Sequence, residues 1–442
     1  MSNKLSDAIG KYLEDAFGNE QTERLRFKYC LVTSSVDKGR EIHVTYQIEK
    51  KGEDPDQCGT CILPVVLKAE NSNASNCIDF SMHLVVLPKM KQIYEDNLER
   101  CGNSSSDANQ SLLRKDVNNP DKSSNSDDDM YIPQFSLQYN YCDDNILVLE
   151  NFTKFQCVKR SEMCFDKAEA VIKKLAQFHA ISMVYLKEHP ANGIVFQTPP
   201  LLAKDDVEKR MHAAIKAVEE IFPQFEEICT KMRKNADSFH QRITDLLEKR
   251  RCQFKVIALG DLSMQNIIFD GKCGRYSLFK NFESCFIGSC GYDLNFFFNA
   301  CVSLKVLALH RYDLLRVYHQ HLTQILKCFD DCFVPSLQTI LDEVRDLELF
   351  GFYVLLCKMP FCDEESDFRK GYVMEKSVVK TFAFEEDYER VLHQEDIQEI
   401  LKYGLDRFND LRLWDDNTND NVIKKEKQED AYGFVMLERQ TI

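Results

Sequence analysis

The stretch Val256–Asp270, VIALGDLSMQNIIFD, decides how the rest of the chain is read. Phe254–Ala258 reads as a short strand that ends in a Gly-Asp pair. Asn266 follows five residues after Asp261, and a second short strand, IIF, begins at once. A DGKCG turn and a third strand, YSLF, complete a strand–loop–strand–turn–strand unit. Phosphoryl transfer needs a carboxylate to orient an acceptor hydroxyl and take its proton. It also needs an oxygen ligand for Mg²⁺ a short loop away. Asp261 and Asn266 have that chemistry at that spacing. A polar turn between two strands would look the same, so the surroundings must decide.

The surroundings favour a site. Fifteen residues after Asn266, at the end of YSLF, stands Asn281-Phe282-Glu283. Eleven residues further, Tyr292-Asp293-Leu294 opens an apolar helix. Upstream, Lys68 ends a strand, where a lysine reaches nucleotide phosphates. The strand NILVLE runs into Asn151-Phe152 where the chain passes from a small part to a large one.

The small part is β-rich. Arg24–Val32, Glu41–Ile48, Cys61–Leu67 and Asn145–Glu150 carry the β-branched and aromatic residues of strands. Ser104–Met130, with SSSDANQS and NNPDKSSNSDDD, has almost no core formers and reads as a disordered surface insertion. After Asn151 the pattern becomes helical. The expected helices are Asp166–His189, Val207–Ile221, Ala236–Lys249, Tyr312–Cys328, Thr339–Cys357 and one from Glu385. Asp415–Ile442 is polar and reads as a tail. The expected fold is α+β and two-lobed, with residues 1–150 as the small lobe, 151–415 as the large one and 416–442 as a flexible tail.

Composition narrows the function. With 71 acidic against 56 basic residues the net charge is −15, which disfavours a nucleic-acid binder, since such proteins replace phosphate counterions with Lys and Arg. No run approaches the roughly 18 apolar residues of a membrane span. The N-terminus, MSNKLSDAIGKYLEDAFG, has no apolar signal core, and the 18 scattered cysteines then read as reduced thiols of a cytoplasmic protein. Cys58-Gly59-Thr60-Cys61 has no second pair at zinc spacing. His319 and His321 cannot share a helix face, and His179 lies beside the apolar face of its helix as a core histidine. No Walker A, G-x-S-x-G or dinucleotide fingerprint occurs.

The blocks VVLKAE, Leu87-Pro88, NILVLENF, KKLAQFHAISMVY, VIALGDLSMQNIIF, GSCGYDLNFFF, DLLRVYHQHL and GFYVLLCKMP, in that order, resemble the ecdysteroid-kinase-like (choline-kinase-like) proteins of insects, relatives of aminoglycoside and choline kinases. The likeness runs from about residue 25 to 410. It implies the protein-kinase-like fold and phosphorylation of small-molecule hydroxyls with ATP and Mg²⁺. It also implies roles: Asp261 as catalytic base, Asn266 and Asn281 facing Mg²⁺, Lys68 on the phosphates, and Asp79 as the acid that pairs with that lysine. The adenine would meet the backbone from Glu150 to Phe152. Asp293 would brace the catalytic loop by accepting backbone N–H bonds.

The sequence departs from the family where it matters. The family's loop reads H-G-D-x-W-x-x-N, and here Leu259 stands for the His and Ser263 for the Trp. The family's D-F-Q becomes Asn281-Phe282-Glu283, a neutral oxygen in place of the main metal carboxylate. The nucleotide-facing turn, Ser34–Gly39, is poor in glycine. Losing one electrostatic contributor costs about 3–4 kcal/mol of barrier lowering, against totals of about 8–23 kcal/mol. Two readings therefore stand: a hydroxyl kinase with an impaired metal site, in which Glu283 could supply a carboxylate from two residues on, or a pseudokinase that binds a ligand or protein partner.

Overall fold

The computed structural model describes residues 40–47, 60–67, 78–104, 135–136, 139–142, 146–149, 155–190, 194, 196, 198–270, 274, 276–361 and 391–414. In the N-terminal part, strands β1 (Arg40–Gln47) and β2 (Thr60–Leu67) pair antiparallel along their whole length. Strands β3 (Tyr139–Cys142) and β4 (Ile146–Leu149) complete a four-stranded antiparallel sheet in the order β1-β2-β4-β3. The expected strand at Arg24–Val32 and the turn at Ser34–Gly39 lie outside the described residues. So do the insertion beyond Ser104, the tail and Cys58.

A helix that the sequence did not announce follows the sheet's second strand. Ile78–Ser81, Met82–Val86 and Leu87–Ser104 run on as one helix, α1. Its middle stretch is a π-type turn, directly before Pro88. Proline lacks the N–H that would bond the carbonyl four residues back, and a local widening of the helix absorbs that gap. Met82, Val86 and Met90 are fully buried and set α1 on the large part of the molecule.

The large part is helical around two small sheets. Its helices begin with α2 (Phe165–Glu188), α3 (Lys204–Ile221) and α4 (Glu226–Lys249). Strands β6 (Val256–Ala258), β7 (Ile267–Asp270), β8 (Ser277–Phe279) and β9 (Phe286–Gly288) follow. Then come α5 (Cys290–Ala300), α6 (Leu304–Leu326), α7 (Leu337–Arg345), α8 (Glu348–Cys357) and α9 (Glu395–Asp410). A two-residue strand, β5 (Phe155–Gln156), joins β7 and β8 in a second sheet, and β6 pairs with β9 alone. The architecture is the α+β, protein-kinase-like order of a β-rich small part and an α-rich large part. One buried cluster runs from Met82 in α1 through α2 and α6 to Phe408 in α9.

Several helix boundaries differ from the pattern of the sequence: α3 starts at Lys204 rather than Val207, and α6 at Leu304 rather than Tyr312, eight residues early. Helix α4 starts ten residues before Ala236, at Glu226, where Pro223 ends the preceding chain and Glu226 and Glu227 suit the positive end of the helix dipole. Thr339–Cys357 is two helices rather than one. The Leu347 N–H reaches the Val344 carbonyl, a tight closing bond that ends α7, and no Gly or Pro marks the spot. The last helix is observed from Glu395, and Glu385 lies outside the described residues.

The last helix is held by charge. Glu348, fully buried, receives Arg311 from α6 at 2.8 Å and Arg407 from α9 at 2.9 Å. Burial pushes the Glu348 carboxyl upward, but the two guanidiniums outweigh it and hold it below its usual value.

Candidate active site

The loop that begins at Leu259 is shaped by its neighbours before any ligand enters. β6 pairs with β9, Ala258 opposite Phe286, so the chain leaving β6 runs beside the turn at Glu283 and Ser284. Gly260 turns there with φ +78°, and a Cβ on it would stand 2.0 Å from the Ser284 carbonyl oxygen. Only glycine fits that combination of conformation and contact.

Asp293 fixes the turn from below. Ser289 caps α5 by accepting the Gly291 N–H, which places Asp293 in the helix's first turn, where the dipole favours an anion. Its carboxylate is fully buried. One oxygen accepts the Leu259 N–H at 2.7 Å and the other accepts the Gly260 N–H at 3.1 Å. His179 of α2 completes the set, with Nε2 at 3.1 Å from the carboxylate and Nδ1 at 2.7 Å from the Tyr318 hydroxyl. A carboxylate only accepts, so Nε2 carries the proton, and in the neutral ring Nδ1 accepts from Tyr318. Burial, then the neighbouring Cys290 thiol and the Asp293 carboxylate, push the Tyr318 hydroxyl well up, which keeps its proton in place. His179 is thus a satisfied core residue, as its place beside the apolar face implied.

Asp261 follows the braced turn and is half-buried. Leu262, Ser263 and Met264 are buried, and the Cys301 thiol donates to the Leu262 carbonyl at 3.1 Å. Asn266 closes the loop, its Nδ2 donating to the Asp261 carbonyl at 2.9 Å. Only the amide nitrogen can donate there, so Oδ1 is left on the other side of the amide as a neutral oxygen donor. Tyr292 is buried near Asp261. Burial first, then Tyr353 and the charges of Asp293 and Asp261, raise its hydroxyl well above the ordinary tyrosine value.

The hairpin β7–β8 brings the second segment alongside. Ile267 pairs with Phe279, and the Lys280 N–H donates to the Asn266 carbonyl at 3.0 Å. Asn281 comes next, exposed, with φ +64°. Asn is among the few residues that take this left-handed conformation readily. Phe282 is fully buried, with His83 of α1 edge-on at 5.4 Å and Phe178 at 6.3 Å. The Phe282 N–H donates to Asp79 Oδ1 at 2.7 Å. His83 is buried. Desolvation lowers its pKa, and the nearby Asp79 charge, with Nε2 at 3.9 Å from Oδ1, offsets only part of that.

Asp261, Asn266, Asn281 and Asp79 are thus brought to one end of the β7–β8 hairpin. Sequence reasoning did not foresee the Phe282 N–H as a partner of Asp79. Lys68, Glu150 and Phe152 lie outside the described residues. β2 ends at Leu67 and β4 at Leu149, each one residue short of them. Three oxygen-bearing side chains, Asp261, Asn266 and Asn281, suit a hard cation in kind but bring a single negative charge. Among the described residues no group of three or more His, Cys, Asp or Glu forms a metal cluster. Ten cysteines among the described residues, from Cys157 to Cys357, form no disulfide. No helix among the described residues is long and apolar enough to cross a membrane.

The family model of the ecdysteroid kinase-like family matches residues 44–330. Among solved structures, choline kinase from Cryptosporidium parvum is 10% identical, over 92% of this chain and 99% of that one, with a TM-score of 0.41. Ethanolamine kinase from Plasmodium vivax is 11% identical, over 90% and 91%, with a TM-score of 0.33. The GDP complex of aminoglycoside 2′-phosphotransferase-IIIa is 13% identical, over 92% and 100%, with a TM-score of 0.33. No curated protein matches the chain. The assignment to a family rests on the family model.

Proposed function

Because the chain belongs to the ecdysteroid kinase-like family, we propose that it is an ATP-dependent kinase for the hydroxyl group of a small molecule, with a weakened metal site. The observation that carries this reading is the braced loop. Two backbone N–H bonds to the buried Asp293 carboxylate hold the turn that presents Asp261, beside Asn266 and Asn281. A polar turn between strands has no need of a buried carboxylate beneath it.

In this reading Asp261 orients the acceptor hydroxyl and takes its proton as that oxygen bonds the γ-phosphorus of ATP, whose bond to the departing ADP breaks. Lys68 offsets charge on the ATP phosphates, and the backbone from Glu150 to Phe152 meets the adenine. Asn266 and Asn281 would hold Mg²⁺ through neutral oxygens. Bound there, the cation supplies positive charge against the phosphate oxygens. The protein works in the cytoplasm, where its thiols stay reduced.

A second reading, a pseudokinase that retains a ligand but no turnover, is favoured by one observation. The position that should carry the metal carboxylate is an exposed Asn. A thermal-shift titration of the full chain with ATP, alone and with Mg²⁺ or Mn²⁺, tests both. A ligand that binds the native state raises the melting temperature by mass action. Metal-dependent stabilisation together with ATP turnover that Asp261→Asn abolishes supports the kinase. Stabilisation by ATP without any turnover supports the pseudokinase. No stabilisation under any condition removes the nucleotide site.

A further inference from the structure

Asn281 is a left-handed, exposed residue between two backbone anchors. On one side the Lys280 N–H is tied to the Asn266 carbonyl at 3.0 Å, within the large part of the molecule. On the other the Phe282 N–H is tied to Asp79 Oδ1 at 2.7 Å, across 203 residues of sequence, in α1. The amide of Phe282 belongs to the peptide unit that follows Asn281. Its orientation therefore is the ψ angle of Asn281. A bond from an N–H to a carboxylate is about twice as strong as one between neutral groups. The side chain of Phe282 is fully buried, with His83 against it, one helical turn after Asp79 on the same face of α1. Ring and amide of one residue are thus both gripped by one helix.

We propose that Asp79 is a positioning residue for the metal-type segment. By accepting the Phe282 N–H it sets the peptide that follows Asn281, and so ties metal use at Asn281 to the position of α1. This inference rests on the kinase reading, and it gives Asp79 a task other than pairing with Lys68. The two tasks differ in what they need. Pairing with a lysine needs negative charge. Accepting a backbone N–H needs an oxygen, which an asparagine also has.

The test compares the unmodified full chain with Asp79→Ala and Asp79→Asn by two measurements. One is hydrogen–deuterium exchange of a peptide spanning Phe279–Cys285. The other is ATP affinity with and without Mg²⁺. The expected result is that Asp79→Ala speeds exchange at Phe282 by about tenfold, a loss of local protection. It also removes most of the gain in ATP affinity that Mg²⁺ gives, while metal-free affinity changes by less than about twofold. Asp79→Asn, which keeps an accepting oxygen but a weaker, neutral one, falls between the unmodified protein and Asp79→Ala in both. If Ala and Asn weaken metal-free ATP binding alike, the charge is what matters and the positioning role is overturned. Exchange that is unchanged in Asp79→Ala, in a protein that binds ATP with Mg²⁺, overturns the proposal and leaves the kinase reading intact. Faster exchange with an unaltered Mg²⁺ gain reduces the contact to local structure and overturns it as well. If the unmodified chain binds no ATP at all, the kinase reading falls first and takes the positioning role with it.

Discussion

The two halves of the candidate site are built to different standards. The half that presents Asp261 rests on a fully buried carboxylate with three donors converging on it: the Leu259 N–H, the Gly260 N–H and His179 Nε2. Each partner is satisfied in turn, out to the Tyr318 hydroxyl. The half that presents Asn281 is an exposed, neutral residue held by one backbone bond on either side. The first half keeps its brace with Leu259 and Ser263 in the loop, while in the proposed reading the second presents a neutral residue where the resemblance implies a carboxylate. Scaffold and charge are separable. A buried bracing network cannot lose a member without leaving others unpaired, whereas a surface carboxylate exchanged for its amide leaves the fold almost as it was.

The largest effect should come from breaking the stronger half. Asp293→Ala leaves two backbone N–H groups and a histidine without their acceptor, all buried. It should cost about 3–5 kcal/mol of stability. Asn281→Ala removes only a tolerance for φ > 0 and should cost about 1 kcal/mol. Urea unfolding at neutral pH measures both, and equal losses would mean that the two halves are held equally well. Gly260→Ala comes next. A Cβ at 2.0 Å from the Ser284 oxygen cannot be accommodated without moving the turn, and φ +78° is itself strained for alanine. A loss of about 2–3 kcal/mol is expected, and Asp261 should move with the turn.

The stronger half was also the more legible one. Gly260, Asp261 and Asn266 are close in sequence and their spacing carries chemistry. Asp293 could be read because it opens an apolar helix in a segment with a known likeness. The contact of Asp79 with Phe282 could not be read, since it joins residues 203 apart through a backbone amide that has no sequence signature. Helix α1 escaped because Pro88 and the polar run Asn71–Asn76 both argue against a helix. The structure answers the first with a π-type turn. Strands β5 and β9 are two and three residues long, too short for an alternation to register. The partners of His179 lie 139 and 114 residues away, so its apolar setting was legible and its bonds were not. The break between α7 and α8 sits in a continuous apolar pattern, where backbone closure rather than composition ends the helix.

The weaker half can be repaired on paper by one atom. Asn281→Asp places a carboxylate where the resemblance implies one, and aspartate also tolerates the left-handed conformation at φ +64°. ATP binding in the presence of Mg²⁺ should tighten by about tenfold, roughly 1.4 kcal/mol, with little change without metal. Any slow turnover should rise with it. Asp261→Asn in the same background should abolish that turnover and leave nucleotide binding largely intact, because a base acts on the acceptor and not on ATP. Calorimetric titration and a coupled ATPase assay read these outcomes. If Asn281→Asp alters neither, the missing charge is not what limits this site, and the pseudokinase reading gains.

The smallest effect concerns the joint between the halves. His83 lies in α1 against Phe282, and burial lowers its pKa from the ordinary 6.5 while the Asp79 charge offsets only part of that. Below about pH 6.5 the unfolded chain takes up a proton at this residue that the folded protein resists. Stability therefore falls as the pH drops from 6.5 toward the folded value, and it is fully present above 6.5. His83→Phe keeps a ring against Phe282 and removes the titration. Urea unfolding at pH 7.5 and pH 5.5 should show the unmodified protein losing more on acidification than His83→Phe does. The difference isolates His83 from the carboxylates that titrate in both proteins. A wild-type loss equal to that of the variant would mean that the folded protein binds the proton as readily as the unfolded chain. Asp79 would then carry a charged partner at this joint, and its bond to the Phe282 N–H would weaken as the pH falls.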